Sequence, residues 1–433
     1  MTTGLTLAAF DDASLTLVDP VFVPETPVRY TYWPVMYQFG DPTIITQAPL
    51  PLSGVQFSRV MRGVGEFQAT LQLADPEVRE MYPWDKIVPR KTGIIAIRQA
   101  YDRYIREWSS SIAWHGIVWA APRDPETGRM SITAQTVESL WARRVISGPL
   151  AGGDLTWANV DQTTMAADLL TPSRFSYVPL GSSPWPGWIN VDASTLMTGV
   201  RRDFTYKRDQ QTNLLEAHQK RSQVDNGYEW TTTERVLSGG PDPLNANAYR
   251  CQFVLGYPRL GRSLSSGEPV PLLKYDRFGS GNVLSYQYAY DGSEVPNVVW
   301  GRGAGYDDAA VQAQIRNSAE WTAGFLQTEA KYSDPDVSVG STLEQYAAAF
   351  LGQKLASEQF VSSLTLRGDV APEFGSYIIG DDVLFETNDW TWPGVDGGNF
   401  VTLAARIFGW RVTPPQGTGA EKVELFISGG DVQ

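Results

Sequence analysis

The sequence predicts a mainly β chain in which two related small β-barrel domains flank a smaller α+β domain. Three observations carry that expectation. Strand-length runs with alternating apolar positions dominate residues 28–148 and 274–433. Glycine (40) and proline (28) are plentiful and 12 % of residues are aromatic, a mix that favours short strands and turns over long helices. One strand–turn–strand piece also occurs twice. A chain of 433 residues with 42 % hydrophobic and 19 % charged content is globular and has room for several domains.

Residues 1–27 read as an N-terminal extension. They lack a basic segment, and Asp11 and Asp12 interrupt any apolar core, so they do not read as a signal peptide. No run reaches the roughly 18 apolar residues of a membrane span. The first barrel is expected over 28–149. "SGVQFSRVMRGVGEFQATLQLADP" alternates through Phe67, Ala69, Leu71 and Leu73, the period of a half-buried strand. "TGIIAIRQA" and "SSIAWHGIVWAA" follow, and "RDPETG" turns the chain into "RMSITA", with Met130, Ile132 and Ala134 on one face. The period then changes. Val137, Leu140, Trp141 and Arg144 share a helical face behind Thr136, a candidate N-cap. That helix is expected to plug the end of the barrel.

Composition shifts near residue 150, and 150–273 reads as the α+β domain. "DQTTMAADLL" is a helix stopped at Thr171-Pro172, "GSSPWPGWIN" is a loop, and "QQTNLLEAHQKRSQVDNGYEWTTT" is a helix begun near Thr212 or Asn213 and closed by Asn226-Gly227, followed by a strand. Strands return over 274–433, the second barrel. "GNVLSYQYAYDGSEVPNVVWGRGAGY" reads as a strand pair, and a helix is inserted at 341–357 behind a Ser341/Glu344 capping box. "GWRVTPPQGTGAEKVELFI" can be laid on "GIVWAAPRDPETGRMSITA" without a gap, which puts Gly116 on Gly409, Pro122 on Pro415 and Ile132 on Leu425.

The chemistry-bearing residues are few. The net charge of −13 argues against a protein that grips nucleic-acid phosphates. Cys251 is the sole cysteine, so no intramolecular disulfide forms, and its strand-like setting reads as core. Two histidines, His115 and His218, show neither metal-ligand spacing nor a nucleophile motif and read as structural. Gly301, Gly303 and Gly305 lack the last glycine and the lysine of phosphate loops. Asp334/Asp336 and Asp381/Asp382 lack EF-hand spacing. No catalytic residue, cofactor or metal ligand is therefore assigned. Of fifteen tryptophans, Trp185, Trp188, Trp390 and Trp392 lie in Pro/Gly-rich loops. They are candidate interface anchors, with burial or sugar stacking as the other readings.

Taken in order, "RVMRGVGEFQATLQLADP", "WHGIVWAAPRDPETGRMSITAQTVESLWARRVI", "GNVLSYQYAYDGSEVPNVVWGRGAG", "STLEQYAAAFLGQKL" and "YIIGDDVLF" resemble the minor tail proteins of long-tailed actinobacteriophages, specifically the baseplate or tail-tip hub. The resemblance covers most of residues 50–150 and 275–430. It implies a non-enzymatic virion protein of the tail tip, assembled in the host cytoplasm. It further implies a homotrimer whose two barrels per chain make a pseudo-sixfold ring, with the distal tail protein, the tape measure protein and fibres or other minor tail proteins as partners. DNA would pass through that ring without being bound specifically. The alternatives are a β-protein that binds or degrades cell-wall carbohydrate and, third, a receptor-binding protein.

Overall fold

The computed structural model describes residues 6–8, 16–18, 26–38, 41–102, 105–146, 154–170, 189–191, 197–224, 226–236, 249–279, 281–290, 292–305, 309–335, 337–355, 359–390, 400–417 and 419–428. Strands β1 (Thr6–Ala8) and β2 (Thr16–Val18) form a small hairpin. The first β region holds β3 (Val28–Gln38), β4 (Asp41–Ile44), β5 (Leu52–Val60), β6 (Glu66–Gln72), β7 (Thr92–Asp102), β8 (Glu107–Ala120), β9 (Arg123–Asp124) and β10 (Arg129–Gln135), with helices α1 (Pro76–Met81) and α2 (Glu138–Trp141). The middle region holds β11 (Leu155–Asp161), α3 (Gln162–Leu169), β12 (Ile189–Val191), β13 (Arg201–Tyr206), α4 (Leu214–Ser222), β14 (Glu229–Val236) and β15 (Tyr249–Gly256). The last region holds β16 (Leu272–Tyr275), β17 (Val283–Tyr290), β18 (Val298–Arg302), β19 (Gln312–Arg316), α5 (Ser318–Ala323), β20 (Glu329–Ser333), α6 (Gly340–Leu355), β21 (Gln359–Arg367), β22 (Asp382–Thr387), β23 (Val401–Thr413) and β24 (Lys422–Ser428).

Alternation in the sequence becomes one wall of the core. Phe67, Ala69 and Leu71 of β6 are buried and pair in register with Ala134, Ile132 and Met130 of β10. β7 is apolar on both faces because both are covered. Ile94 and Ala96 face the main core, while Ile95 and Ile97 meet Trp33 and Val35 on the other side. The main core is continuous through both β regions, from Tyr32 to Ile427.

The two β regions repeat one strand order. In the first the order is β5-β6-β10-β8-β7-β3; in the second it is β17-β21-β24-β23-β22-β16. With the six strands of each region lettered a to f along the chain, both read b-c-f-e-d-a. The regions join in a single sheet, because β23 pairs with β22 through Val401–Arg406 and with β5 through Gly409–Val412.

The copies differ in two ways. Strand a runs antiparallel to d in the first region and parallel in the second. The hairpins are out of register by four residues: Thr133 pairs with Ala120, but the matched Phe426 pairs with Gly409 rather than Thr413. The turns explain this. Asp124 and Arg129 close a four-residue turn, whose Gly128 has φ +63°, whereas Thr413 and Lys422 close an eight-residue one. The ungapped match of Gly116 to Gly409 is thus a match of strands, not of partners. A Cβ on Gly116 would press on the Gln135 carbonyl at 2.4 Å, and one on Gly409 on the Arg59 carbonyl at 2.7 Å. They share one further feature: among the described residues strands a and b form no ladder in either copy. In the first they are bridged by the Leu50 N–H to Tyr32 carbonyl bond of 2.8 Å.

Two further expectations are corrected. Helix α2 does not plug the end of the first β region; Trp141 packs with His218, Trp230 and Phe253 in the separate core of the middle region. Thr136 does not cap it either, because its hydroxyl accepts the Gly65 N–H at 2.8 Å and Val137 is the cap residue. Similarly, β17 and β18 do not pair. β17 joins β21, while β18 centres a three-stranded sheet with β19 and β20. That sheet and α6 bury Val299, Leu343, Ala347 and Leu351 between them, so the insertion is a small α/β unit and not a helix alone.

Candidate functional site

The chemistry-bearing residues singled out in the sequence are held in packing and ion-pair roles where they are described. His115 lies in β8 and His218 in α4, both buried. Burial, helped by Arg59 for His115 and by Arg221 for His218, lowers each pKa to about 3, so both stay neutral. Cys251 is buried, and burial with the nearby Glu138 and Glu234 pushes its thiol pKa up. That is the opposite of a reactive thiolate. Gly301 and Gly303 make room for packing: Cβ atoms there would meet Leu343 of α6 at 3.1 Å and the Val337 carbonyl at 2.4 Å. Asp381 and Asp382 open β22 as arginine partners. Asp381 accepts from Arg262 N at 2.7 Å and from its Nη2 at 2.5 Å; Asp382 accepts from Arg259 Nη1 and Leu264 N, both at 2.9 Å. Asp334 follows β20, and Asp336 lies outside the described residues. No group of three or more metal-ligating side chains occurs among the described residues. No described helix is long and apolar enough to cross a membrane.

What the fold does assemble is a set of buried ionic joints between regions. Glu421, before β24, is 1 % exposed and accepts from Arg98 Nε at 3.0 Å, from Arg98 Nη2 at 2.9 Å and from the Tyr30 hydroxyl. Burial with Glu421 beside it raises the Tyr30 pKa. Burial alone would lower that of Arg98, but Glu421 reverses the sign and raises it. Glu229 of β14 is gripped by Arg406 of β23 at 2.8 Å, by Arg62 at 3.0 Å and by the Leu260 N–H at 2.7 Å. Burial pushes its carboxyl up, and these donors outweigh burial, so it titrates below the usual range. Arg59 of β5 reaches into the middle region, where it bonds Thr232 Oγ1 at 2.7 Å and pairs with Glu234. Thr232 also bonds Glu138. Sequence reasoning missed these joints. Arg98 and Glu421 are 323 residues apart, and no local pattern marks either.

The exposed face is where contacts with other molecules can form. Of the four candidate tryptophans, only Trp390 is described, and it is 77 % exposed. Trp185, Trp188 and Trp392 lie outside the described residues. The structure adds a patch the sequence reading passed over. Helix α5, capped by Asn317 and ended by Gly324 at φ +89°, buries none of its residues. Trp321, Phe325 and Leu326 stand out around it at 60, 47 and 86 % exposure, an apolar cluster of the kind that marks interaction sites. The signal was present in "AEWTAGFLQ", whose apolar residues fit no strand or helix period.

No family model matches the sequence, and no curated protein matches it. Solved structures do. A tail protein from Neisseria meningitidis MC58 matches with a TM-score of 0.53 at 10 % identity, over 92 % of this chain and 96 % of that one. The 43 kDa tail protein of prophage MuSo2 from Shewanella oneidensis matches with a TM-score of 0.51 at 11 % identity, over 91 % and 98 %. A chain of the Francisella PdpA-VgrG complex matches with a TM-score of 0.52 at 8 % identity, over 94 % of this chain and 53 % of that one. The chain therefore has the mainly β fold found in phage tail proteins.

Proposed function

We propose that this protein is a structural component of a bacteriophage tail, specifically the tail-tip hub. In this reading three copies close into a ring, and the two β-barrel domains of each, 28–149 and 274–433, present six similar units around the axis. The α+β domain, 150–273, and the inserted α6 unit stand outside them. The ring joins the tail tube and distal tail protein to the tip fibres and surrounds the passage for the tape measure protein and DNA. The negative chain charge supports a bore that repels phosphate rather than binding it. The role is one of architecture, not catalysis.

The observation that carries this reading is the repeated b-c-f-e-d-a strand order within one sheet, in a fold similar to that of a bacterial-genome tail protein and a prophage tail protein. The test is mass photometry and negative-stain imaging of the purified chain and of virions. A threefold ring on the tail axis is expected. A stable monomer that is absent from the tail would overturn the reading. So would release of soluble sugar or peptide from purified cell wall that disappears when one carboxylate is mutated.

A further inference from the structure

Between the middle region and the α6 unit lies a cleft of about 530 Å³. At its floor is Arg221 of α4, only 7 % exposed. Its Nε donates to the Tyr206 hydroxyl at 3.0 Å and its Nη1 makes a weak 3.6 Å contact to the Met165 sulfur, while Nη2 has no acceptor. The guanidinium lies 3.8 Å from the Phe204 ring centre and 5.1 Å from that of Tyr206. Trp157 adds a third ring, its centre 5.2 Å away. Among the described residues no carboxylate forms an ion pair with it. The other deeply buried arginines are treated differently: Arg59 has Glu234 and Arg98 has Glu421. A buried cation without an anion is costly, and Arg221 is among the residues that line the cleft.

Other groups around the cleft favour negative charge. Lys207 and Lys220 line it, and the latter makes a half-exposed 3.4 Å surface pair with Glu216, which contributes little. The first turn of α6, a helix of 16 residues, opens onto the cleft through Val339 and Thr342. There the free N–H groups and the helix dipole attract anions. Two acids, Asp203 and Asp334, also line it. The Asp203 carboxylate is engaged by the Asn159 N–H at 2.6 Å. Three cations and a helix N-terminus thus stand against two acids.

We propose that this cleft binds a phosphate-type anion carried on a body of sugar or nucleoside size, with Arg221 as its anchor. A tetrahedral oxyanion offers acceptors in several directions at once, to the guanidinium fork, the α6 amides and a lysine, where a carboxylate presents two in one plane. The volume exceeds what a bare anion needs and lies within the roughly 300–1,000 Å³ of small-molecule sites. The inference is independent of the hub reading, since a ligand can be held here by a monomer or by a ring.

Calorimetric titration of the full chain with inorganic phosphate, glucose 1-phosphate and acetate tests it. Both phosphates should bind, the sugar phosphate more tightly, with affinity that falls as salt rises. Acetate should not bind. Arg221→Met should abolish binding. Because that variant removes a core side chain, Lys207→Gln with Lys220→Gln is the companion: both lysines lie at the surface, and affinity should fall by about tenfold with an unchanged circular dichroism spectrum. The proposal is overturned if the folded wild-type chain binds neither phosphate, if acetate competes equally, or if the lysine pair variant binds as well as the wild type.

Discussion

Replacing Glu421 by Gln should destabilise the protein far more than its small change of shape warrants. Glu421 is 1 % exposed and Arg98 6 %. Arg98 meets it through two bonds, Nε at 3.0 Å and Nη2 at 2.9 Å, and spends a further Nη2 bond on the Gly368 carbonyl at 3.2 Å. Glutamine keeps the volume and one acceptor but leaves the guanidinium as an uncompensated buried charge. Breaking a buried pair from one side costs about 3–5 kcal/mol. The retained acceptor puts Glu421→Gln near the lower end, about 3 kcal/mol. Removing the whole cluster should cost less than removing half of it. Arg98→Met, Glu421→Leu and Tyr30→Phe together leave no buried charge and no orphaned hydroxyl, so the triple variant should recover most of the loss. Urea unfolding followed by tryptophan fluorescence measures both. If Glu421→Gln unfolds within about 1 kcal/mol of the wild type, or if the triple variant is no more stable than the single one, the charge argument fails.

Four other outcomes follow from the same structure. Glu229 titrates below its unfolded value, so its contribution is present above about pH 4.5 and is lost as pH falls through the folded pKa; Glu229→Gln should flatten the acid limb of a stability–pH curve. The two histidines are held neutral with pKa values of about 3, so the unfolded chain binds more protons below about pH 6.5 and stability declines from there toward pH 3. Proton NMR should show both imidazole C2–H signals unmoved between about pH 8 and pH 4. Gly409→Ala brings a Cβ to 2.7 Å from the Arg59 carbonyl and 2.9 Å from Val60 and Phe426, which should cost about 1–3 kcal/mol and raise hydrogen exchange at Val60. Trp390→Ala, at a side chain 77 % exposed, should leave unfolding within about 0.5 kcal/mol while weakening assembly; normal assembly would remove that loop from the interface.

Much of the β architecture was legible because burial writes a period of two into each strand. Met130, Ile132 and Ala134 could be placed on one face before any partner was known, and glycine-marked turns located the hairpins. The repeat was legible as grammar but not as register. Sequence alone does not reveal that "PETG" closes a four-residue turn while "PPQGTGAE" spans an open one, and this difference slides one hairpin by four residues. Helix α2 was misplaced for a related reason. Amphipathicity shows that Trp141 must be buried but not in which core, and here the core of the first β region lost to the aromatic group around His218. The joints at Glu229 and Glu421 left no trace, since a charged residue destined for a buried pair looks in sequence like any surface charge. The exposed cluster at Trp321 was overlooked because only tryptophans in Pro/Gly-rich loops were read as interface candidates, and "AEWTAGFLQ" has no proline to mark it as such a loop.

The strand β23 has a consequence for how this chain comes into being. It completes the edge of β5, and the Gln56 to Thr413 side-chain bond beside that seam spans 357 residues of sequence. During synthesis β5 emerges long before β23 and waits for it with its hydrogen-bonding edge uncovered, in a strand whose apolar face already favours pairing. Contacts so distant along the chain form slowly, and open edges in unfinished chains are where association goes wrong. A product truncated anywhere before β23 would carry that edge permanently. Val401–Thr413 is therefore the segment that makes the first half safe, and expression of the first half by itself should be met by aggregation unless a substitute strand is supplied.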